Sequence, residues 1–281
     1  MNLRNVAPLL INAMCLAALG LPRWGAAEEW MEYKKAPHCI VYYKHASDAT
    51  VERFTWEAEE QFQIITDWFG FRPYPEWRGD DRVKMYLYDD KEEYQHANRE
   101  VKHSQWSAGM ADPAAHAIRT YPQATEWFFD DLLPHELGHL LLYHFVGWRA
   151  DIPQWFSEVV AELQEQAEHR IVSEVVKKQI EKDGYIALSE LQIDNKETFE
   201  NYYPCAASAT QYLVSRLPGN KLRTLLELLR DGMSFSAALN DVSNGYLKDI
   251  QDLNDQWVAY VKHTASELPP APNPSTSRSS P

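Results

Sequence analysis

Apolar side chains recur along the first third of the chain with two different periods, which predict two strands and a helix. Residues 38–44 are rich in β-branched and aromatic side chains, which favours a strand. Residues 48–69 place apolar side chains on one stripe at helical spacing, and Gly70 then supplies a C-terminal stop. In residues 83–87, Val, Met and Leu alternate with Lys and Tyr, and this alternation predicts a second strand.

Further along, helical patterns dominate. Residues 90–98 predict a short acidic helix, residues 103–113 a loop, and residues 115–121 a third strand. Beyond a buried apolar stretch near residue 137, the helical segments expected are 154–182, 205–217, 220–231, 235–241 and 246–264. The sequence therefore predicts an α+β fold, with a small N-terminal mixed sheet and helices, a central buried helix and a C-terminal helical lobe.

The two ends of the chain differ in composition from the rest. Arg4 precedes an apolar run of moderate length, and small residues follow at 25–27, as in a signal peptide. We therefore expect residues 1–27 to be cleaved and the protein to be exported to the periplasm or the extracellular space, although an uncleaved anchor stays open. Residues 266–281 are rich in Pro and Ser, which predicts a disordered tail. One domain of residues 28–265 remains between them.

The charge of the chain limits its partners. The formal net charge is -14, and loss of residues 1–27, which carry two arginines and no acid, makes it -16. Nucleic acids and anionic membrane surfaces are poor partners for such a protein, and we expect no stable membrane insertion after cleavage. In the predicted mature chain, Cys39 and Cys205 remain, and either a disulfide or two separate buried thiols would suit an exported protein.

One motif carries the candidate chemistry. His135, Glu136 and His139 form an H-E-x-x-H pattern within LLPHELGHLLLYHFVGW. Residues four apart lie on one face of a helix, so both imidazoles can reach one metal ion. Glu136 is rotated by about 100° from His135, which places its carboxylate beside the metal, where a base can take a proton from the attacking water.

A catalytic zinc usually has three protein ligands, so a third is required. His144 would point more than about 100° away from the motif histidines on a continuous helix, which argues against it. His103 and His116 are isolated in a predicted loop and strand, where surface or packing roles are more common. Glu158 follows His139 with eighteen residues between them. It lies early in a helix that Pro153 and Asp151 would start, from which it could face back toward the histidines.

These residues resemble the gluzincins, the metallopeptidase superfamily of thermolysin and aminopeptidase N. The closest likeness is to small peptidase-MA-like domains, in which the H-E-x-x-H helix precedes a P-x-W-x-x-E segment, here Pro153, Trp155 and Glu158. The resemblance implies a zincin active-site helix, one Zn²⁺ per chain bound by His135, His139 and Glu158, and Glu136 as general base. The exopeptidase signature G-x-M-E-N is not found in the sequence, so amino-terminal trimming is not implied.

Further residues acquire expected roles from the resemblance and the helical spacing. Tyr203 would stabilise the oxyanion of the tetrahedral intermediate, and residues 115–121 would be the edge strand that pairs with substrate backbone, or else an ordinary covered strand. Glu162 and Asp131 lie one turn from a ligand and are candidates to orient a ligating histidine. Two function classes follow. The favoured one is an exported zinc metallopeptidase, most simply an endopeptidase acting on peptide or protein substrates. The alternative is a catalytically silent binding or scaffold protein of the cell envelope with the same fold.

Overall fold

A computed structural model of the chain describes residues 30–33, 35–70, 77, 79–123, 128–147, 152–164, 176–178, 180, 187–191, 196–217 and 220–264. The predicted signal peptide, the predicted tail and the predicted capping residue Asp151 lie outside these residues.

A five-stranded mixed sheet forms the N-terminal part of the fold. Its strands are β1 (Met31–Tyr33), β2 (Cys39–Tyr43), β3 (Val83–Leu87), β4 (Gly109–Asp112) and β5 (Ala117–Thr120). The order across the sheet is β1-β2-β3-β5-β4. The three central strands are mutually parallel, whereas β1 and β4 run antiparallel to their neighbours at the two edges. The mixed sheet of the predicted α+β fold is thus confirmed.

Helices make up most of the remainder. They are α1 (Asp48–Phe69), α2 (Lys91–Ala97), α3 (Leu133–Val146), α4 (Gln154–Glu162), α5 (Lys196–Arg216), α6 (Lys221–Arg230), α7 (Phe235–Val242) and α8 (Ile250–Thr264). Short 3-10 turns occupy Gly79–Asp81 and Lys102–Gln105, and a π-helical turn, Phe128–Leu132, leads into α3.

Helix α1 has the bounds that the pattern predicts, because both of its ends carry local signals. The Ser47 side chain accepts a hydrogen bond from the Thr50 N–H at the start of the helix. Gly70 ends it with a left-handed φ of 75°, a conformation that glycine adopts without a Cβ penalty. Its buried stripe includes Val51, Phe54 and Ala58.

The hydrophobic core lies between one face of the sheet and helices α1 and α3. Alternate side chains of the central strands are buried on this face, as the period of two requires: Cys39, Val41, Val83, Met85, Leu87 and Ile118. A smaller cluster around Tyr88, Tyr94 and Met110 covers the opposite face under α2.

One expectation about the strands near residue 110 was wrong, and one of two alternatives is excluded. The predicted loop of residues 103–113 contains β4. Residues 115–121 contain β5, which pairs with β3 on one side and β4 on the other and is therefore not an edge. Gly109–Asp112 is the edge strand, because no described strand pairs with its outer side.

Helix α5 begins earlier than predicted, and Tyr202 and Tyr203 lie inside it instead of preceding it. Pro204 sits within the helix, where it lacks one N–H donor and costs about 3 kcal/mol in an isolated helix. The buried neighbours Tyr202, Cys205 and Ala206 pack into the core, and this packing offsets the loss.

The structure resolves the cysteine alternatives in favour of two separate buried thiols, since Cys39 and Cys205 are both buried and are not joined by a disulfide. Among the described helices, none has the length and apolar character needed to cross a membrane.

Candidate metal centre

The site is built on α3, whose start is determined by Pro134. This residue lies in the first turn, where its missing N–H has no helical partner to lose. The π-helical turn, Phe128–Leu132, directly precedes the buried helix α3. Pro134 is therefore compatible with the first turn of a helix that begins at Leu133.

The helical repeat brings the two motif histidines together. His135 and His139 both lie in α3, and their Nε2 atoms are 3.1 Å apart. The two rings are nearly perpendicular, at 84°. Their nitrogens thus point to a common position beside the helix, as the spacing predicts.

Glu158 completes the group from the neighbouring helix α4. Its Oε2 atom lies 3.4 Å from His135 Nε2 and 3.5 Å from His139 Nε2. The side chains of His135, His139 and Glu158 are only 11, 13 and 7% exposed. Within the described part of the chain, these three residues are the one group of His, Cys, Asp or Glu placed to hold a metal ion.

Two features of this group fit zinc. In a tetrahedral site with metal–ligand bonds of roughly 2.0–2.1 Å, neighbouring ligand atoms lie about 3.3 Å apart, and the three separations here bracket that value. Moreover, Glu158 Oε2 is buried and forms no hydrogen bond of good geometry, because its polar neighbours are the two imidazole nitrogens at 3.4 and 3.5 Å. An orphaned buried carboxylate oxygen is costly, and a cation between the three atoms would satisfy it.

The electrostatics of Glu158 favour its ionised form. Burial opposes ionisation of this carboxyl, but the positive charge that His139 and His135 can present outweighs burial and holds its pKa well below its usual range. Glu158 is therefore a carboxylate, the form that binds zinc.

Glu136 is buried on the side of α3 that faces the edge strand β4. The backbone N–H of Ala111 donates a hydrogen bond to its carboxylate. A Cβ at Gly109 would lie 3.4 Å from Glu136 Oε1, an ordinary van der Waals contact, so this strand passes directly beside the acid. Burial raises the pKa of Glu136, and the charge of Glu158 adds to this, while the two histidines and Ala111 oppose it. Glu136 is not part of the three-atom group, in agreement with the role beside the metal that the sequence predicts.

Close packing of α3 on α4 sets the position of Glu158. A Cβ at Gly138 would lie 3.0 Å from the Cα of Ala161, so only glycine permits this approach without a shift. Tyr143, one turn beyond His139, hydrogen-bonds Ser157, the residue before Glu158. Ser157 Oγ itself donates to the Gln154 carbonyl at 3.0 Å.

The remaining histidines lie elsewhere. His144 Nε2 accepts a hydrogen bond of 2.9 Å from the Trp77 indole, and its ring stacks on His116 with centroids 5.9 Å apart. His144 is thus a packing residue, as the helical geometry predicts, and His116 is its neighbour. The side chain of His103 lies outside the described part of the chain.

Three predicted roles stay predictions. Asp131 is buried in the turn before α3. The side chains of Glu162 and Tyr203 lie outside what the structure describes, although both residues are within helices, α4 and α5.

Sequence reasoning missed Gly109, Ala111, Gly138 and the Tyr143–Ser157 pair. Gly138 carried a usable signal, because glycine within a helix costs about 1 kcal/mol relative to alanine and is retained for a reason such as close packing. Ala111 carried none, since it contributes through its backbone.

A family model described as Peptidase MA superfamily matches residues 77–263, which is more than half of the 281 residues and includes α3 and α4. No curated protein matches the chain.

Proposed function

Because the chain belongs to the Peptidase MA superfamily, we propose that it is an exported, zinc-dependent metallopeptidase that cleaves within peptide or protein substrates. The observation that carries this proposal is the group of His135, His139 and Glu158, with its orphaned carboxylate oxygen and its zinc-like spacing. The family supports a peptidase fold, whereas the zinc, the reaction and the export are the proposal.

In the proposed reaction, the three residues hold one Zn²⁺. When bound, zinc supplies Lewis acidity, which polarises the peptide carbonyl and lowers the pKa of water to about 7. Two imidazoles and one carboxylate are a donor set that is typical of catalytic zinc sites.

Glu136 acts first as the general base and then as the general acid. Its carboxylate accepts a proton from the water that attacks the scissile carbonyl and passes the same proton to the leaving amine. Burial raises its pKa, which makes it a better proton acceptor than an exposed glutamate, and the Ala111 N–H holds the carboxylate in place. Tyr203 remains the proposed donor to the oxyanion.

Strand β4 offers a place for the substrate. Its outer side is unpaired by any described strand, so an extended peptide can add to it through main-chain hydrogen bonds. Because Gly109 and Ala111 of this strand lie against Glu136, a peptide paired there would present a backbone amide near the base. Main-chain pairing needs no free peptide terminus, which favours endopeptidase action.

The experiment compares wild type with Glu136→Gln on a casein-like protein and on a peptide library. The substitution keeps size and leaves the three ligands, so zinc content and folding should hold while turnover falls by about 10²–10⁴ or more. Mass spectrometry of the products distinguishes internal cleavage from terminal trimming. Glu190→Gln, an exposed acid in a turn, is the matched control and should cleave like wild type.

Equal cleavage by wild type and Glu136→Gln would refute the mechanism. Zinc binding without cleavage of either substrate by wild type would refute the peptidase and favour the scaffold alternative. The export proposal has a separate test, because amino-terminal sequencing of exported protein should start near Glu28, and an intact Met1 would contradict cleavage.

A further inference from the structure

The outer side of α1 carries an unusual row of exposed apolar side chains. Trp56, Ile64 and Trp68 are 62, 52 and 37% exposed. Together with Glu60 they are spaced four residues apart and so form one continuous ridge, about 18 Å long. The opposite side of the same helix packs Phe54 and its neighbours into the core, so the ridge faces away from α3 and the metal centre.

A groove of about 530 Å³ runs beside the N-terminal half of this ridge, between β1 and α1. Its lining combines two aromatic rings, Tyr33 and Trp56, with three carboxylates, Glu52, Glu59 and Glu60. We call the ridge and the groove together the α1 surface. Large exposed aromatic side chains next to a groove are typical of interaction sites on soluble proteins.

The position of Lys35 shows that the aromatic rings and carboxylates of the groove attract a cation. Its ammonium lies 5.1 Å from the centre of the Tyr33 ring and 4.0 Å from Glu52 Oε1. Aromatic rings and carboxylates both attract cations, and here they do so together. At the other end of the groove, beside Trp56, Glu60 makes no hydrogen bond or ion pair with any described residue.

The negative charge of the α1 surface favours one kind of binding partner over others. A second copy of the chain would bring the same acidic groove to the interface, and an anionic bilayer would be repelled by it. We infer that the α1 surface docks a polypeptide segment of a partner protein that carries Lys or Arg beside apolar side chains. The cationic groups enter the groove at Trp56 and Glu60, and the apolar side chains cover Ile64 and Trp68.

This docking does not depend on catalysis. The α1 surface lies on the far side of the helix from α3, so its occupant and a substrate at β4 can be bound at the same time. The occupant is defined by its chemistry alone: a basic, apolar segment of a partner protein.

The test uses a fluorescein-labelled peptide of about 12 residues with Lys and Leu at helical spacing, the length that spans the ridge. Fluorescence anisotropy with the full protein should show binding, which Trp56→Ala and Glu60→Lys each weaken at least about tenfold. Salt should weaken it too, because exposed charges are screened. A matched peptide with Glu in place of Lys should not bind.

Tyr246→Ala and Glu100→Lys are the controls, because both residues are exposed and lie outside the α1 surface. They should bind the basic peptide like wild type, and circular dichroism should show that all four variants fold. Absence of binding by wild type, or binding that Trp56→Ala and Glu60→Lys leave unchanged, would overturn the inference. So would wild-type binding to phosphatidylglycerol vesicles or self-association, if either is lost in Trp56→Ala, because the occupant would then be a membrane or a second copy.

Discussion

Replacing Gly138 with alanine should weaken zinc binding by forcing two helices apart. The new Cβ would lie 3.0 Å from the Ala161 Cα and 3.2 Å from the Gln164 Cγ. Carbon atoms in contact prefer separations of about 3.5–4.0 Å, so α4 must move by a few tenths of an ångström. The Gln164 side chain can turn aside, whereas the backbone of Ala161 cannot.

The displacement acts on the metal through Glu158, which lies one turn before Ala161 on α4. Zinc–ligand distances tolerate changes of only about 0.2 Å, so a shift of α4 by a few tenths of an ångström strains the bond between Glu158 and the metal. We expect zinc affinity to fall by about 10–100-fold, or about 1.4–2.7 kcal/mol, similar to the loss of a residue that orients a ligand. Stability without metal should change less. Alanine gains about 1 kcal/mol of helix propensity, and overpacking costs about 1–3 kcal/mol.

Zinc affinity is measured by competition with a fluorescent chelator, and metal-free stability by thermal melting in EDTA. Gly138→Ser adds an oxygen at the same contact and should bind zinc more weakly than Gly138→Ala. Gly109→Ala is the control, since its Cβ meets Glu136 at an ordinary 3.4 Å and does not touch α4. Wild-type zinc affinity in Gly138→Ala would refute the reasoning, because it would show that the position of α4 does not control Glu158.

Three other expectations can be tested alongside. His139→Ala removes one of the three ligands and should abolish stoichiometric zinc retention on metal analysis, whereas full occupancy would contradict the ligand assignment. Tyr203→Phe should lower kcat by about 10²–10³, the effect of one oxyanion donor, with KM little changed, and an unchanged kcat would remove Tyr203 from the mechanism. Burial, and then the nearby His144, lower the pKa of His116, so the unfolded chain binds more protons below the ordinary pKa of about 6.5. The contribution of His116 to the free energy of unfolding should therefore be constant above about pH 7 and should decrease as the pH falls through about 6.5. His116→Asn, which tolerates the left-handed φ of 54°, should show a shallower decrease in denaturant titrations, and an identical pH profile would contradict the cause.

Local signals in the sequence were sufficient for several elements. Helix α1 carries a cap at Ser47, a continuous apolar stripe and a stop at Gly70, and all three act within a few residues of one another. In strand β3, buried and partly exposed residues alternate in step with the alternation of apolar and more polar side chains in the sequence. The pairing of His135 with His139 follows from the helical repeat alone, because residues four apart always share a face.

Other features depend on neighbours that are distant in sequence, and local patterns do not encode them. Gly109–Asp112 has low strand propensity and becomes a strand because it pairs with β5. The order β3-β5-β4 makes residues 117–120 internal, and nothing within that segment distinguishes an edge from an internal strand. Pro204 normally signals a helix boundary, yet α5 continues through it because its buried side chains pack on the core.

The metal centre likewise has features that follow from sequence spacing and features that depend on tertiary packing. The sequence by itself determined that two histidines share a helix face with a glutamate beside them, because covalent geometry places residues at such short separations. Only the tertiary structure decided that Glu158 reaches them, that its Oε2 atom lies 3.4 and 3.5 Å from their nitrogens, and that β4 passes against Glu136. These distances depend on how closely α4 packs on α3 at Gly138, and close packing is a property of two surfaces that the chain brings together only when it folds.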